Sequence, residues 1–259
     1  MRKYLGLALA SAVSVTLGGF GSAQAADMAL KARPVPPPVV VYNWTGFYIG
    51  ANGGWGSSHK CWDLTNDAGV LITPPLAEGC HDATGGTVGG QIGYRWQASS
   101  WVFGVEAQGN WADFKGSNTS LVFPNSRNET RVEAFGLFTG QVGYAWNNVL
   151  LYVKGGAAVT SDKYRTFEIL PANLLLDTAS ETRWGGVVGA GVEFGFAPNW
   201  SVAFEYDHLF MGDRDIRFTS VGNRLPLGVF VASDRIRQDV DLATVRVNYR
   251  FGGPIVARY

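Results

Sequence analysis

The chain has 259 residues, 21 Lys+Arg against 21 Asp+Glu, and only 16% charged positions. A neutral, charge-poor chain lacks the concentrated basic surface that nucleic acid binding needs, and 46% hydrophobic residues exclude broad disorder. No run of 18 apolar residues follows the first thirty positions, so helical membrane spans are excluded as well, and 34 Gly with 13% aromatics call for another cause.

Arg2 and Lys3 precede the apolar run Leu5 to Leu17, and Ala23-Gln24-Ala25 follows. A basic head, a short apolar core and an Ala-x-Ala site make residues 1–25 a secretory signal peptide, cut before Ala26; a buried N-terminal helix is the weaker alternative. No Cys follows the cut, so a lipid anchor is not expected. Cleavage removes two cations and no anions, leaving 19 against 21. Residues 26–42 carry Pro34, Pro36, Pro37 and Pro38, which cannot sit inside a helix or ladder and read as an extended periplasmic leader.

From Trp44 onward the dominant period is two, the signature of strands. A first strand spans about 44–56. Residues 84–97 set Val88, Gly90, Ile92, Tyr94 and Trp96 against Thr87, Gln91, Arg95 and Gln97, and residues 101–111 set Trp101, Phe103, Val105, Ala107 and Trp111 against Glu106, Gln108 and Asn110. Segments 130–146 and 149–160 follow less cleanly. Residues 182–196 set Trp184, Val188, Ala190, Val192, Phe194 and Phe196 against Arg183, Gly189, Gly191 and Glu193. Trp200, Val202, Phe204 and Tyr206 then face Ser201, Ala203, Glu205 and Asp207 in the seventh strand. In the eighth, Val245, Val247, Tyr249 and Phe251 oppose Thr244, Arg246, Asn248 and Arg250.

Two places break the alternation. Phe135 and Leu137 fall on the polar parity of the fourth strand, and Val240 and Leu242 are out of phase with Val245 and Val247. A bulge near Ala243 is expected to repair the second; the first has no explanation in the sequence.

Connections alternate in length. Ala98–Ser100, Asn147-Asn148 and Pro198-Asn199 are tight turns, whereas long loops are expected at 57–83, 115–129, 161–181 and 211–235. This implies an all-β, eight-stranded antiparallel up-and-down barrel over residues 43–251, with a short tail at 252–259. The polar parity holds Glu106, Glu133, Glu193, Glu205 and Asp207 against Arg95, Arg131, Lys154, Arg183, Arg246 and Arg250, a nearly self-cancelling set suited to an interior. A soluble barrel would wet this face with more Lys and Glu. Trp96, Trp101, Tyr144, Trp146, Trp200, Tyr249 and Phe251 gather beside the short turns, where a membrane-interface girdle belongs. The expected architecture is a transmembrane barrel with turns in the periplasm and loops outside.

The opening Asn43-Trp44-Thr45-Gly46-Phe47-Tyr48-Ile49-Gly50 and closing Val245-Arg246-Val247-Asn248-Tyr249-Arg250-Phe251-Gly252-Gly253 resemble the small outer-membrane immunogenic, porin-family proteins of alphaproteobacteria, within the opacity-type eight-stranded barrels. Gly93-Tyr94-Arg95-Trp96 and Gly143-Tyr144-Ala145-Trp146 carry the same resemblance. It implies a Gram-negative outer-membrane location and a structural or surface-antigen role. It also implies that Val245, Val247, Tyr249 and Phe251 are the signal read by the barrel-assembly machinery. Partners are then outer-membrane lipid, lipopolysaccharide and that machinery, with a host or cell-surface partner through the loops.

The eleven interior charges are expected to pair into a plug, since eight strands leave room for side chains only and an unpaired buried charge costs several kcal/mol, as an order of magnitude; a narrow or gated ion path is the alternative. Cys61 and Cys80 share the first long loop and, after export, are expected to form a disulfide. Metal or haem binding with His59 and His81 is the competing reading; export and oxidation argue against free thiolates, so no cofactor is expected. His208 lies on the lipid-facing parity with no acid–His–Ser order around it, and reads as an interfacial residue without catalytic work. Loop segments Ile169-Leu170, Leu174–Leu176 and Leu225–Val231 are apolar enough either to fold over the mouth or to meet a partner. No enzymatic activity is expected, a lipid-modifying hydrolase being the remote alternative and a ligand-uptake barrel the nearer one.

Overall fold

The computed structural model describes residues 42–252. The expected signal peptide and its cleavage site, the expected leader up to Val41 and the tail beyond Gly252 lie outside the described residues. Within them are eight strands: β1 Gly46–Asp67, β2 Val70–Ala98, β3 Trp101–Thr119, β4 Ser126–Trp146, β5 Val149–Glu168, β6 Leu174–Ala197, β7 Trp200–Ser220 and β8 Phe230–Phe251. Each pairs antiparallel with its chain neighbours, and β8 pairs with β1 from Phe251↔Phe47 to Ala232↔Asp67, closing the barrel.

The three tight turns occur where the sequence places them. Ser99 and Asn147 take positive φ at the first turn positions (57° and 53°), which matches the right-handed twist of the flanking strands.

The four long loops do not exist as loops. Residues 57–83 are a hairpin in which β1 and β2 stay paired to the two-residue turn Ala68-Gly69, both at positive φ as such a turn demands. Residues 115–129, 161–181 and 211–235 are likewise mostly strand, interrupted by the connections 120–125, 169–173 and 221–229, with β6 and β7 parting from each other between Thr178 and Gly186. The barrel therefore continues well beyond the segments that alternate apolar-out.

The physical reason is an inversion of faces. In β1 the outward side carries Phe47, Ile49 and Trp55 and then His59 and Asp63, while the inward side passes from Tyr48 and Asn52 to Trp62 and Leu64. The lower part faces lipid with apolar side chains and stores polar ones inside; the upper part stands in water with an apolar interior, as a soluble barrel does. Val240 and Leu242 are buried and inward, in unbroken register with Leu209 and Asp207. No bulge forms at Ala243, and the phase break in the sequence marks the level where the apolar residues change sides. Phe135 and Leu137, both buried, mark the same level on β4.

Candidate functional site

The outer wall sets the frame. Tyr94, Trp96, Trp101, Tyr144, Trp146, Trp200, Tyr249 and Phe251 form linked ring contacts around the turn end. A second, exposed set, Trp55, Trp111 and Trp184, stands higher. Trp101 and Trp111 bound the same strand, and ten residues of tilted strand rise about 25 Å, the height of an outer-membrane apolar band. Above it the wall is ionic: Arg131 with Asp113 (2.8 Å), Lys163 with Glu133 (2.8 Å), Arg235 with Asp215 (3.0 Å) and Arg237 with Asp213 (3.1 Å).

Inside the band lies the charged layer. Arg246 on β8 bonds both Glu106 and Glu205, Lys154 reaches Glu205 at 2.7 Å and Asp207 at 3.2 Å, and Arg95 pairs with Glu193 at 2.8 Å. Tyr48 donates to Glu106 (2.6 Å) and Tyr152 to Glu205 (2.7 Å). These rings need room on the facing strands: a Cβ on Gly93 would stand 2.5 Å from the Tyr48 hydroxyl, and one on Gly191 2.5 Å from the Tyr152 ring. Below, Trp44 packs with Val102, Ala145, Leu150 and Tyr152 to floor the barrel, its indole N–H donating to Asn147 O at 3.1 Å.

Of the eleven expected charges, seven form this layer. Arg250 is buried but donates to the backbone oxygens of Thr45 (3.2 Å) and Pro198 (2.8 Å) at the floor. Arg183 is buried higher up, on Glu181 at 3.2 Å and Ile236 O at 3.1 Å. Arg131 and Glu133 are corrections: the register shift between Val132 and Ala134 turns them outward, half-exposed, into the ionic wall. The buried pair Lys60–Asp162 (2.5 Å) lies in segments whose sequence looks like loop, so neither residue is among the expected interior charges.

Above the charged layer two apolar clusters fill the lumen, with the Lys60–Asp162 pair between them. Phe114, Val132, Phe135, Leu137, Leu209 and Leu242, with Met211 and Val240, form one buried cluster drawn from opposite walls. Trp62, Tyr164, Ile216, Phe218 and Ile236 form another above the Lys60–Asp162 pair. At the mouth Leu64 and Phe218 border a cavity of about 220 Å3 that Glu78, Asp177 and Asp234 also line.

Cys61 and Cys80 are bonded, as direct cross-strand partners on β1 and β2 rather than within a loop. His59 and His81 point to opposite faces: His59 is outside, on Asp82 at 2.6 Å, and His81 inside, between Asn118 (2.8 Å) and Thr130 (3.0 Å). His59 Nε2 stays 3.5 Å from Cys61 Sγ, but the disulfide holds both sulfurs and His81 faces the lumen, so the four side chains do not come together as one ligand set. His208 does have an acid partner, Asp241 at 2.7 Å, whose same oxygen accepts from Tyr206 at 2.6 Å; the cross-strand register His208↔Asp241 made this invisible in sequence. Val245, Val247, Tyr249 and Phe251 all lie on the outward face of β8.

A family model described as an outer membrane protein β-barrel domain matches residues 12–251. The 31 kDa outer-membrane immunogenic protein of Brucella melitensis biotype 1 is 30% identical over 247 residues, covering 89% of this chain and 94% of that protein. The 22 kDa outer membrane protein of Rhizobium leguminosarum bv. viciae is 28% identical over 189 residues, covering 71% of each. Among solved structures, the outer membrane protease OmpT of Escherichia coli aligns with a TM-score of 0.50 at 8% identity, over 80% of this chain and 97% of that one; the likeness is one of fold alone.

Proposed function

The chain belongs to the outer-membrane protein β-barrel family, and from that premise we propose that it serves the Gram-negative envelope as a closed, surface-exposed scaffold. The observation that carries this reading is the apolar septum around Phe114, Phe135, Leu137 and Leu209, stacked on a salt-bridged charge layer. An eight-stranded lumen holds little beyond its own side chains, and here two chemically different layers fill it in series. A dry apolar layer opposes ions, and salt-bridged side chains below it oppose apolar solutes.

The role is non-enzymatic. The relatives are named for immunogenicity and location, and His208 and Tyr206 share Asp241 on the outer wall at the level of the upper girdle, which suits an interfacial anchor. Lipid meets the aromatic band and lipopolysaccharide the ionic wall above it. The outward row Val245, Val247, Tyr249 and Phe251 is offered to the assembly machinery. Each outer hairpin also exposes a large apolar side chain near its tip, Leu71, Leu121, Leu170 and Leu227, which supports contact with a surface partner. Permeation of small sugars and ions into proteoliposomes tests the scaffold reading: rates equal to protein-free vesicles are expected, and uptake that scales with protein content contradicts it.

A further inference from the structure

Interior charges cancel along the barrel until the extracellular mouth, where they do not. Glu78 from β2, Asp177 from β6 and Asp234 from β8 reach one cavity of about 220 Å3, whose described lining contains no Lys, Arg or His. The nearest interior cations below are occupied, Lys60 by Asp162 and Arg183 by Glu181. Glu78 is held by Asn128 (2.6 Å) and Ser120 (3.1 Å). Asp177 and Asp234 are 5% and 4% exposed, and each keeps its Oδ1 without a hydrogen-bond partner. A carboxylate buried this way is costly until a proton or a cation neutralises it.

The form of the space selects among cations. Among the described residues, Glu78, Asp177 and Asp234 do not bring three carboxylate oxygens together as a ligand set for one bare metal ion. Between them lie apolar walls, Leu64, Leu176 and Phe218. A second cavity of about 210 Å3 shares Leu176, Asp177 and Val231 with the first and runs to the rim beside the Arg224–Glu168 pair, which places Asp177 at the junction of the two. Cavities of about 150 Å3 already accept benzene, so the pair of chambers has room for an extended molecule.

We propose that the mouth is a binding site for a linear polyamine, its protonated nitrogens on Asp234 and Asp177 and its methylene segments on Leu64, Leu176 and Phe218. The site stands above the septum and does not depend on the lumen being closed. Electrostatics agree. Burial, then Glu78 and Asp177, then Asp63 and Asp67 of β1, push Asp234 up to about 8, and burial and Glu78 push Asp177 up to about 6; the inward side chains of β7 here, Ile216 and Phe218, are uncharged. Ser220 of β7, the buried cross-strand partner of Asp177, is on this face too and carries no charge. A bound ammonium reverses that shift, so affinity rises with pH across this range.

Calorimetric titration of spermidine into the detergent-solubilised barrel at low ionic strength tests the site. Saturable binding is expected, tightening between about pH 6 and about pH 8. The pair Asp177→Asn/Asp234→Asn weakens it at least about tenfold, Asp234→Asn alone weakens it less, and Asp213→Asn/Asp215→Asn on the outer wall leaves it unchanged. The mouth variants gain thermal stability while losing the ligand, since they remove buried like charges, and a purely structural role would not separate the two readouts in that direction. Absence of saturation, equal binding by folded Asp234→Asn, or a site that takes Ca2+ at matched ionic strength and rejects spermidine overturns the proposal.

Discussion

Arg246 and Glu106 come from strands three places apart around the barrel, and their side chains meet across the lumen. The other guanidinium nitrogen of Arg246 takes Glu205, so one cation from β8 ties β3 to β7. All three side chains are at most 2% exposed. Arg246→Met leaves two buried carboxylates short of a partner and is expected to cost about 3–5 kcal/mol, read as a shift in urea unfolding of the barrel in micelles. Adding Glu106→Gln returns part of the loss. A single variant as stable as the parent would remove the charged layer from the account of stability.

Phe114 is the largest fully buried side chain of the septum. Phe114→Ala opens a cavity between facing walls, at a cost of about 3–5 kcal/mol, while the charged layer below stays intact. The same unfolding measurement checks it. A cost below about 1 kcal/mol would mean that the interior collapses freely at this level.

Strand number, antiparallel order, the three tight turns, the aromatic girdle and seven members of the charged layer are legible in the sequence, because within the lipid band polarity alternates with one sense. Above the band the sense reverses, and there the reading fails. Trp62, Tyr164 and Phe218 are inward and their neighbours polar and outward, so a continuous strand looks like a loop. Arg131 and Glu133 were misplaced for a related reason, a register shift that no residue type announces. The His208–Asp241 contact and the acidic mouth depend on pairing between strands, which a linear pattern does not encode.

Cys61 and Cys80 staple β1 to β2 above the lipid band, 19 positions apart in sequence. Replacing both with Ser removes a constraint on the unfolded chain without altering a ladder that is already paired. The expected loss is about 3 kcal/mol in the chain-entropy model, with membrane insertion retained, checked by unfolding with and without reductant. Failure of the double variant to assemble would instead make the bond a requirement for folding.

Asp234 and Asp177 give the barrel an inverted pH profile. Below their ordinary values near 3.8 both states are protonated and no penalty exists. As pH rises the unfolded chain ionises first, while the folded groups hold their protons to about 8 and about 6. Stability therefore falls as pH climbs through this window and levels off above it, opposite to a salt-bridged carboxylate. Asp234→Asn flattens the upper part of the slope in melting curves without polyamine. A slope unchanged by the substitution would contradict the assignment.

On the proposed reading the lumen is closed by an apolar septum stacked on a charge layer. Single-channel recording in planar bilayers of the purified barrel addresses it most directly: a baseline without sustained conductance steps at either polarity is predicted, and stable ohmic steps would contradict it.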